Sequence, residues 1–375
     1  MSEREFNGLK KVLKKINEYV PRATLVIAAL AILCLAIHIA ASFSTSFADF
    51  FNEKISSHFR ALLAHITGIL PFSLAEGLII FIPVLVAILI YLSIKYASDS
   101  WKSVVRYTSG LFGAVLVFYI FFVMGFGTAY KGATVDEKLG LSRRDVSASE
   151  LGETAKYLLE MTVAELDEVD FIYGGASVMP YSLDEMEEKL LDAYDKVCDK
   201  YSFVQRLRSN MKPIILSEPM TYTHISGVYT YFTGEANLNT NFPDYSLPFT
   251  AAHEFSHQRG IAREDEANFM AFLVCSASDD PYIRYSGYLN MYEYVASAYY
   301  SADPDGYYAL LGSMDARVRC ELVSYSEFFD KYRDSVASEV SGAINDTYLK
   351  LQGTEGTRSY GLVVDLAVAY LKNEK

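Results

Sequence analysis

The sequence predicts a membrane anchor of three helices followed by a mostly helical α+β domain. Two observations predict this division. Long uncharged apolar runs lie in the first third of the chain, and the remainder mixes acidic, basic and aromatic residues. The length of 375 residues also exceeds one average domain. We therefore expect a membrane domain at residues 1–130 and a separate folded domain at residues 131–375.

Three runs are long enough to cross a bilayer core, which requires about 20 helical residues. They occupy residues 23–43, 78–94 and 107–130 and contain no charged side chain. The first is longer than the apolar part of a signal peptide, which usually has roughly 7 to 15 residues. Between the first two runs, residues 58–74 mix Arg60 and His65 with apolar residues, which predicts a helix at the membrane surface.

Basic residues set the expected orientation of these spans, because cytoplasmic loops are enriched in lysine and arginine. One group precedes the first span, and another fills the loop between the second and third: Lys10, Lys11, Lys14, Lys15 and Arg22, then Lys95, Lys102 and Arg106. We expect a multi-pass protein of the plasma membrane, with a cytoplasmic N-terminus and an extracytoplasmic domain after the third span.

The composition of the second domain excludes some classes of function. Residues 130–375 hold 22 basic and 39 acidic side chains, so this domain would repel the phosphates of nucleic acid. The four cysteines are far apart and form no Cys-x-x-Cys pair, which excludes a cysteine zinc knuckle.

Apolar residues at helical spacing predict helices at 147–168 and 183–201. Short β-branched and aromatic runs predict strands at 213–216 and 227–232, and the pattern is again mostly helical from residue 248.

A helix is expected from Ser246, whose side chain can cap it, with Pro248 in its first turn. Gly260 can end this helix in a left-handed conformation. Such a helix carries a pair of histidines, His253 and His257.

The two histidines are four residues apart, so they share one helix face and their rings can converge on one metal ion. Glu254 lies beside them, which completes the His-Glu-x-x-His arrangement of zincins. In that arrangement the carboxylate takes a proton from water that zinc activates.

A catalytic zinc ion requires three protein ligands and an open position. A second helix, beginning near Ala262, offers Glu264 and Glu266. At about 100° per residue, Glu264 and Asn268 share a face, whereas Glu266 points roughly 200° away from Glu264. Only one of the two glutamates can face the metal.

The motif His-Glu-Phe-Ser-His at 253–257, followed by Glu-Asp-Glu-Ala-Asn at 264–268, resembles the glutamate-zincin peptidases. Their second motif is Glu-x-x-Ala-Asp or Glu-x-x-Ala-Asn. The three spans together with residues 233–272 also resemble an uncharacterised family of bacterial membrane proteins assigned to that clan. The resemblance implies that Glu264 is the third ligand and that Asn268 orients a ligand. Many relatives have a longer link before this glutamate, which leaves Glu266 as an alternative ligand.

The resemblance also implies an edge strand that pairs with substrate beside the active-site helix. Residues 231–241 occupy that position, and a loop rich in asparagine is the alternative. A side chain that stabilises the transition state should donate a hydrogen bond to the developing oxyanion. The sequence offers four residues for this role without selecting one: His224, Tyr285, Tyr288 and Tyr292.

Together these features predict a three-helix transmembrane anchor and a mostly helical α+β zincin-like metallopeptidase domain. We expect it to bind zinc (Zn²⁺) through His253, His257 and Glu264, and to hydrolyse extracytoplasmic polypeptides with Glu254 as general base. Two alternatives stay open: a non-proteolytic zinc-binding membrane sensor or scaffold, and a hydrolase of a non-peptide amide bond. No nucleic-acid partner is expected.

Overall fold

The computed structural model describes residues 14–172, 175–333, 335–354 and 362–373. Most of these residues are helical, and one small sheet accompanies the helices. The predicted basic residues Lys10 and Lys11 lie outside the described residues.

The first third of the chain forms six α-helices, preceded by helical residues 14–19. These are α1 (Arg22–Phe43), α2 (Thr45–Phe51), α3 (Ser57–Gly68), α4 (Leu74–Ile80), α5 (Ile82–Ala97) and α6 (Trp101–Phe122). A π-helical turn, Asn52–Ser56, joins α2 to α3, and a second one, Val123–Gly127, extends α6.

Two helices are long and apolar enough to cross a membrane: α1 and the continuous segment Trp101–Gly127. The pair α4 and α5 is bent by 53° and gives a third span only if it is counted as one broken helix. The three predicted spans are therefore confirmed in part. The third predicted span ends earlier than expected, because a 3₁₀ turn at Ala129–Lys131 follows the π-helical turn.

The rest of the chain contains eleven further described α-helices. They are α7 (Val135–Leu139), α8 (Ala148–Ala164), α9 (Leu183–Lys200), α10 (Ser217–Thr221), α11 (Ser246–Gln258), α12 (Glu264–Ala277), α13 (Pro281–Ala302), α14 (Pro304–Gly312), α15 (Ala316–Asp330), α16 (Val336–Leu351) and α17 (Val363–Asn373). The helices predicted at 147–168 and 183–201 are confirmed as α8, which is followed by a 3₁₀ turn, and α9. Capping boxes at Ser147 and Ser182 begin them.

Helices α11, α12 and α13 form the centre of the core. They pack on one another, α8 runs along α13, and α9 packs against α12. Their contacts bury large side chains such as Phe255, Phe269 and Tyr285 completely. This burial removes apolar area from water and fixes the position of α11, the helix that carries the histidine motif.

The sheet consists of β1 (Met211–Pro213), β2 (Gly227–Thr230) and β3 (Glu235–Leu238), in the order β1-β3-β2. Strand β3 is parallel to β1 and antiparallel to β2. The prediction of an edge strand within residues 231–241 is wrong, because β3 is the buried central strand and pairs on both sides. The edge strand beside α11 is β2. The strand predicted at 213–216 begins and ends earlier, at β1.

Helix α3 joins the apolar helices of the first third of the chain to the rest of the protein through Arg60. This side chain is only 1% exposed, and its guanidinium donates to the Asn52 side chain at 2.8 Å and to the carbonyls of Gly125 and Arg259 at 3.0 and 3.3 Å. The helix predicted within residues 58–74 is confirmed as α3, but Arg60 faces the interior, where protein oxygens rather than water accept from its terminal nitrogens. Burial lowers the pKa of Arg60 to about 10.

We expect Arg60→Ala to lower the free energy of unfolding by about 3 kcal/mol or more, since each buried acceptor left without a donor costs about 1–3 kcal/mol. Denaturant titration of the detergent-solubilised protein measures this change. The control is Arg206→Ala, whose half-exposed guanidinium pairs with Asp195 and should contribute less than about 1 kcal/mol. Equal losses in the two variants would contradict the role of Arg60.

Candidate metal centre

Helix α11 is buried along most of its length, and the chain turns sharply after it. The predicted cap at Ser246 is wrong: the helix begins at that residue, and the Ser246 hydroxyl donates to the carbonyl of Pro243 at 2.7 Å. The left-handed conformation predicted for Gly260 is confirmed, with φ of 89°. A Cβ atom there would also clash with the Arg60 guanidinium, so both backbone and packing favour glycine.

Three side chains from α11 and α12 converge. The Nε2 atoms of His253 and His257 lie 3.2 and 3.5 Å from the same carboxylate oxygen of Glu264. One ligand atom from each residue lies within 4.8 Å of the other two, so a single metal ion could contact all three. Among the described residues, this is the cluster of histidine, cysteine and carboxylate groups that could hold a metal ion.

The other nitrogen of each imidazole has an oxygen partner. His253 Nδ1 lies 2.8 Å from Asn268 Oδ1, and His257 Nδ1 donates to the carbonyl of Ile261 at 2.7 Å. A neutral ring that donates from Nδ1 has its lone pair on Nε2, the atom that faces the cluster. Such contacts orient metal-binding histidines and fix their tautomer. The donor set therefore fits a zinc ion.

The electrostatics of the cluster suit a cation. Burial raises the pKa of Glu264, but the two imidazoles outweigh burial and hold this pKa well below its ordinary value. Burial lowers the pKa of His257, whereas Glu264 raises it, and the net result is a pKa of about 9. The carboxylate thus keeps its negative charge and favours a proton on His257. Metal binding releases such a proton, because a ligating imidazole must be neutral.

The three consecutive acidic residues of α12 have three different partners. Glu264 faces the histidines, and Asp265 pairs with Arg143 at 2.7 Å. Glu266 pairs with Arg263 at 3.0 Å and accepts from the Val135 backbone at 3.1 Å. Of the two glutamates that the sequence left open as third ligand, the structure brings Glu264 to the histidines and directs Glu266 elsewhere.

Glu254 lies beside the cluster and is 4% exposed. Its Oε2 atom has no hydrogen-bond partner among the described residues, although the backbone N–H of Tyr229 interacts with the carboxylate. Burial raises the pKa of Glu254, and the neighbouring imidazoles oppose that rise. Gly227 allows this close approach, because a Cβ atom there would lie 2.7 Å from the Glu254 side chain.

The cluster opens into a cavity of about 940 Å³. Its walls include β2, part of α16 and the π-helical turn after α6. Several polar lining residues were not predicted from the sequence: Tyr229, Tyr231, Asn290, Tyr294 and Tyr348. Tyr294 lies among many tyrosines at helical spacing, and Tyr348 comes from a distant helix, so no local signal distinguished either of them.

The residues predicted as candidates for stabilising an oxyanion have different positions. His224 lines the cavity, and its Nε2 contacts the carbonyl of Tyr332 at 2.9 Å. Tyr285, Tyr288 and Tyr292 belong to the core instead. The hydroxyl of Tyr285 donates to Glu321. These three tyrosines are therefore removed as candidates, because burial within the core keeps them out of the cavity.

We expect Asn268→Ala to weaken zinc affinity by about 10- to 100-fold, the usual effect of losing a partner that orients a metal-binding histidine. Competition with a chromogenic chelator measures this affinity. Asn290→Ala is the matched control, because Asn290 lines the same cavity but donates to the Ser286 carbonyl rather than to a ligand. An unchanged zinc affinity in Asn268→Ala would refute the orienting role.

The fold and the site define a mostly helical protein in which long apolar helices accompany a buried cluster of two histidines and one glutamate. The chain belongs to the family described as "Protein of unknown function (DUF3810)", whose model matches residues 51–368. This match includes both the apolar helices after α1 and the candidate metal centre. No curated protein and no solved structure matches the chain.

Proposed function

We propose that this protein is a membrane-anchored, zinc-dependent metallopeptidase of the glutamate-zincin type. One observation carries the proposal: His253, His257 and Glu264 converge, and beside them lies the buried Glu254 carboxylate, one oxygen of which has no partner in the described part of the chain. Three protein ligands leave a coordination position open, which is characteristic of catalytic rather than structural zinc. The cavity next to the cluster has room for a peptide segment.

Glu254 is the general base in this proposal. Its free oxygen accepts a proton from the attacking water, and the same carboxyl group then gives that proton to the leaving amine. When bound, a zinc ion supplies Lewis-acid chemistry that lowers the pKa of water and polarises a carbonyl group. Asn268 and the Ile261 carbonyl hold the two imidazoles in the orientation that this chemistry needs.

Strand β2 is the surface on which we expect the substrate backbone to bind. The N–H of Tyr229 is directed at Glu254, hence away from the partner strand β3. In an antiparallel ladder every second residue points the same way, so the backbone of Gly227 also faces the cavity. An extended peptide can add to such an edge through main-chain hydrogen bonds, with little selectivity for sequence.

The two alternatives receive less support from the site. A zinc ion that only held helices together in a sensor or scaffold would need no buried base beside it, yet Glu254 is there. A hydrolase of another amide bond would share the same chemistry, but the strand edge in the cavity favours a peptide.

The proposal includes the topology that the basic residues predict. Lys95, Lys102 and Arg106 lie around the turn between α5 and α6, which favours a cytoplasmic turn. The metal centre would then be extracytoplasmic, on a protein of the plasma membrane, and would meet extracytoplasmic polypeptides.

Turnover of a mixed peptide library by the full-length protein in detergent tests the proposal. We expect the wild type to cleave peptides and Glu254→Gln not to cleave them. Absence of cleavage by both proteins, with zinc bound, would contradict a peptidase and favour the sensor.

A further inference from the structure

We infer that the substrates are polypeptides anchored in the same bilayer, and that cleavage occurs in the first few residues outside the membrane, on the side of the metal centre. This inference rests on the proposed peptidase function. It adds a class of substrate that the metal site alone does not specify.

The membrane helix that ends at Gly127 contacts β2 and the turn after it at three levels. Phe118 packs on Phe232 with ring centroids 5.4 Å apart, and the Phe122 ring lies 5.4 Å from that of Tyr231. One turn further along, Phe126 packs on Tyr229, again at 5.4 Å. From Phe118 to Phe126, towards the outer end of the helix, the contacted residue changes from Phe232 to Tyr231 and then to Tyr229. The helix and the strand segment therefore run in opposite directions. Strand β2 therefore runs from the cavity towards the membrane.

The last of these contacts places the metal centre close to the bilayer. Phe126 also touches His257, with ring centroids 5.7 Å apart. About 20 helical residues cross the hydrocarbon core, and counting them from Tyr107, which follows the last charged residue of the span, reaches Phe126. The outer boundary of the hydrocarbon core therefore lies near the level of the histidine cluster.

A peptide paired with β2 has one end directed at the membrane. From Gly227, beside Glu254, to Thr230, where β2 ends next to the turn that contacts the membrane helix, there are three residue steps of about 3.3 Å each, or about 10 Å. A bound substrate covers the same distance with about three residues. A substrate that enters the bilayer at this point can place a peptide bond at Glu254 while its backbone stays paired with β2. Its membrane anchor keeps it close to the site and therefore favours binding.

The opposite wall of the cavity suits apolar residues near a membrane span. Val340 and Ile344 of α16 line the cavity and are 53% and 66% exposed. Side chains of an apolar substrate segment would shield both from water, which favours binding. Leu62 and Ile66 on helix α3, and Ile69 directly after it, are likewise exposed, as expected for apolar side chains that face a bilayer.

The test uses the full-length protein in proteoliposomes and a sequence first selected as cleavable from the peptide library. That sequence is supplied as a free peptide and as reporters on a single membrane span, in both chain directions, with spacers of about 5, 15 and 40 residues. We expect fastest cleavage at the shortest spacer and a loss of roughly tenfold or more at the longest, because effective concentration falls with about the −3/2 power of tether length. Mass spectrometry locates the cut, and Glu254→Gln should leave every reporter intact.

The outcomes separate the two proposals. If no library peptide is cleaved, the peptidase function fails before any reporter is made. If the free peptide is cleaved at least as fast as the anchored reporters, or if the rate is independent of spacer length or greatest at the longest spacer, the enzyme stands and the membrane-anchored substrate class is overturned.

Discussion

Replacing Glu254 by glutamine is expected to reduce peptide hydrolysis by about 10²- to 10⁴-fold, the range that a positioned general base contributes. Glutamine has almost the same shape but cannot accept the proton of the attacking water. It removes no metal ligand, because His253, His257 and Glu264 are unchanged. The variant should therefore keep its zinc, and the loss should be in kcat rather than in metal content.

Glu187→Gln is the matched control for this measurement. Glu187 is also a buried glutamate and accepts from the Met211 backbone, but it does not line the cavity. Its replacement should leave the cleavage rate within a small factor of the wild type. If Glu254→Gln hydrolyses peptides at the wild-type rate with zinc bound, Glu254 is not the base.

The second large effect concerns the third ligand. Glu264→Gln should weaken zinc affinity by more than about 100-fold, because loss of a direct ligand should exceed the 10- to 100-fold effect of an outer-shell partner. Glu266→Gln should keep zinc, because Glu266 contacts Arg263 and the Val135 backbone rather than the histidines. Chelator competition on both variants gives the comparison. Retention of zinc by Glu264→Gln together with its loss from Glu266→Gln would reverse the assignment.

These two glutamates show what the periodicity of a helix can predict from sequence alone. The sequence alone placed Glu264 and Asn268 on one helix face and Glu266 on another. The structure has this arrangement, with Asn268 against His253 and Glu266 against Arg263. Such relations depend on one helix and one turn, and both are fixed by residues close in the chain, Gly260 above all.

Features that depend on contacts between distant segments could not be predicted in the same way. The sequence predicts a helix that includes Arg60, but not that the carbonyls of residues 125 and 259 accept from its side chain. Residues 231–241 have the composition of an edge strand or a loop, yet β1 pairs with β3 and makes it the central strand. The cavity tyrosines, including Tyr294 and Tyr348, gain their positions only when α13 and α16 meet at the metal centre.

The metal content of the protein tests the central claim most directly. The full-length protein should be purified in mild detergent without chelators, and its zinc measured by mass spectrometry alongside a variant that lacks both imidazoles, His253→Ala with His257→Ala. We expect about one zinc ion per wild-type chain, as a site with three protein ligands should hold, and none in the double variant. A folded wild-type protein without bound metal, or equal zinc in both proteins, would contradict the account.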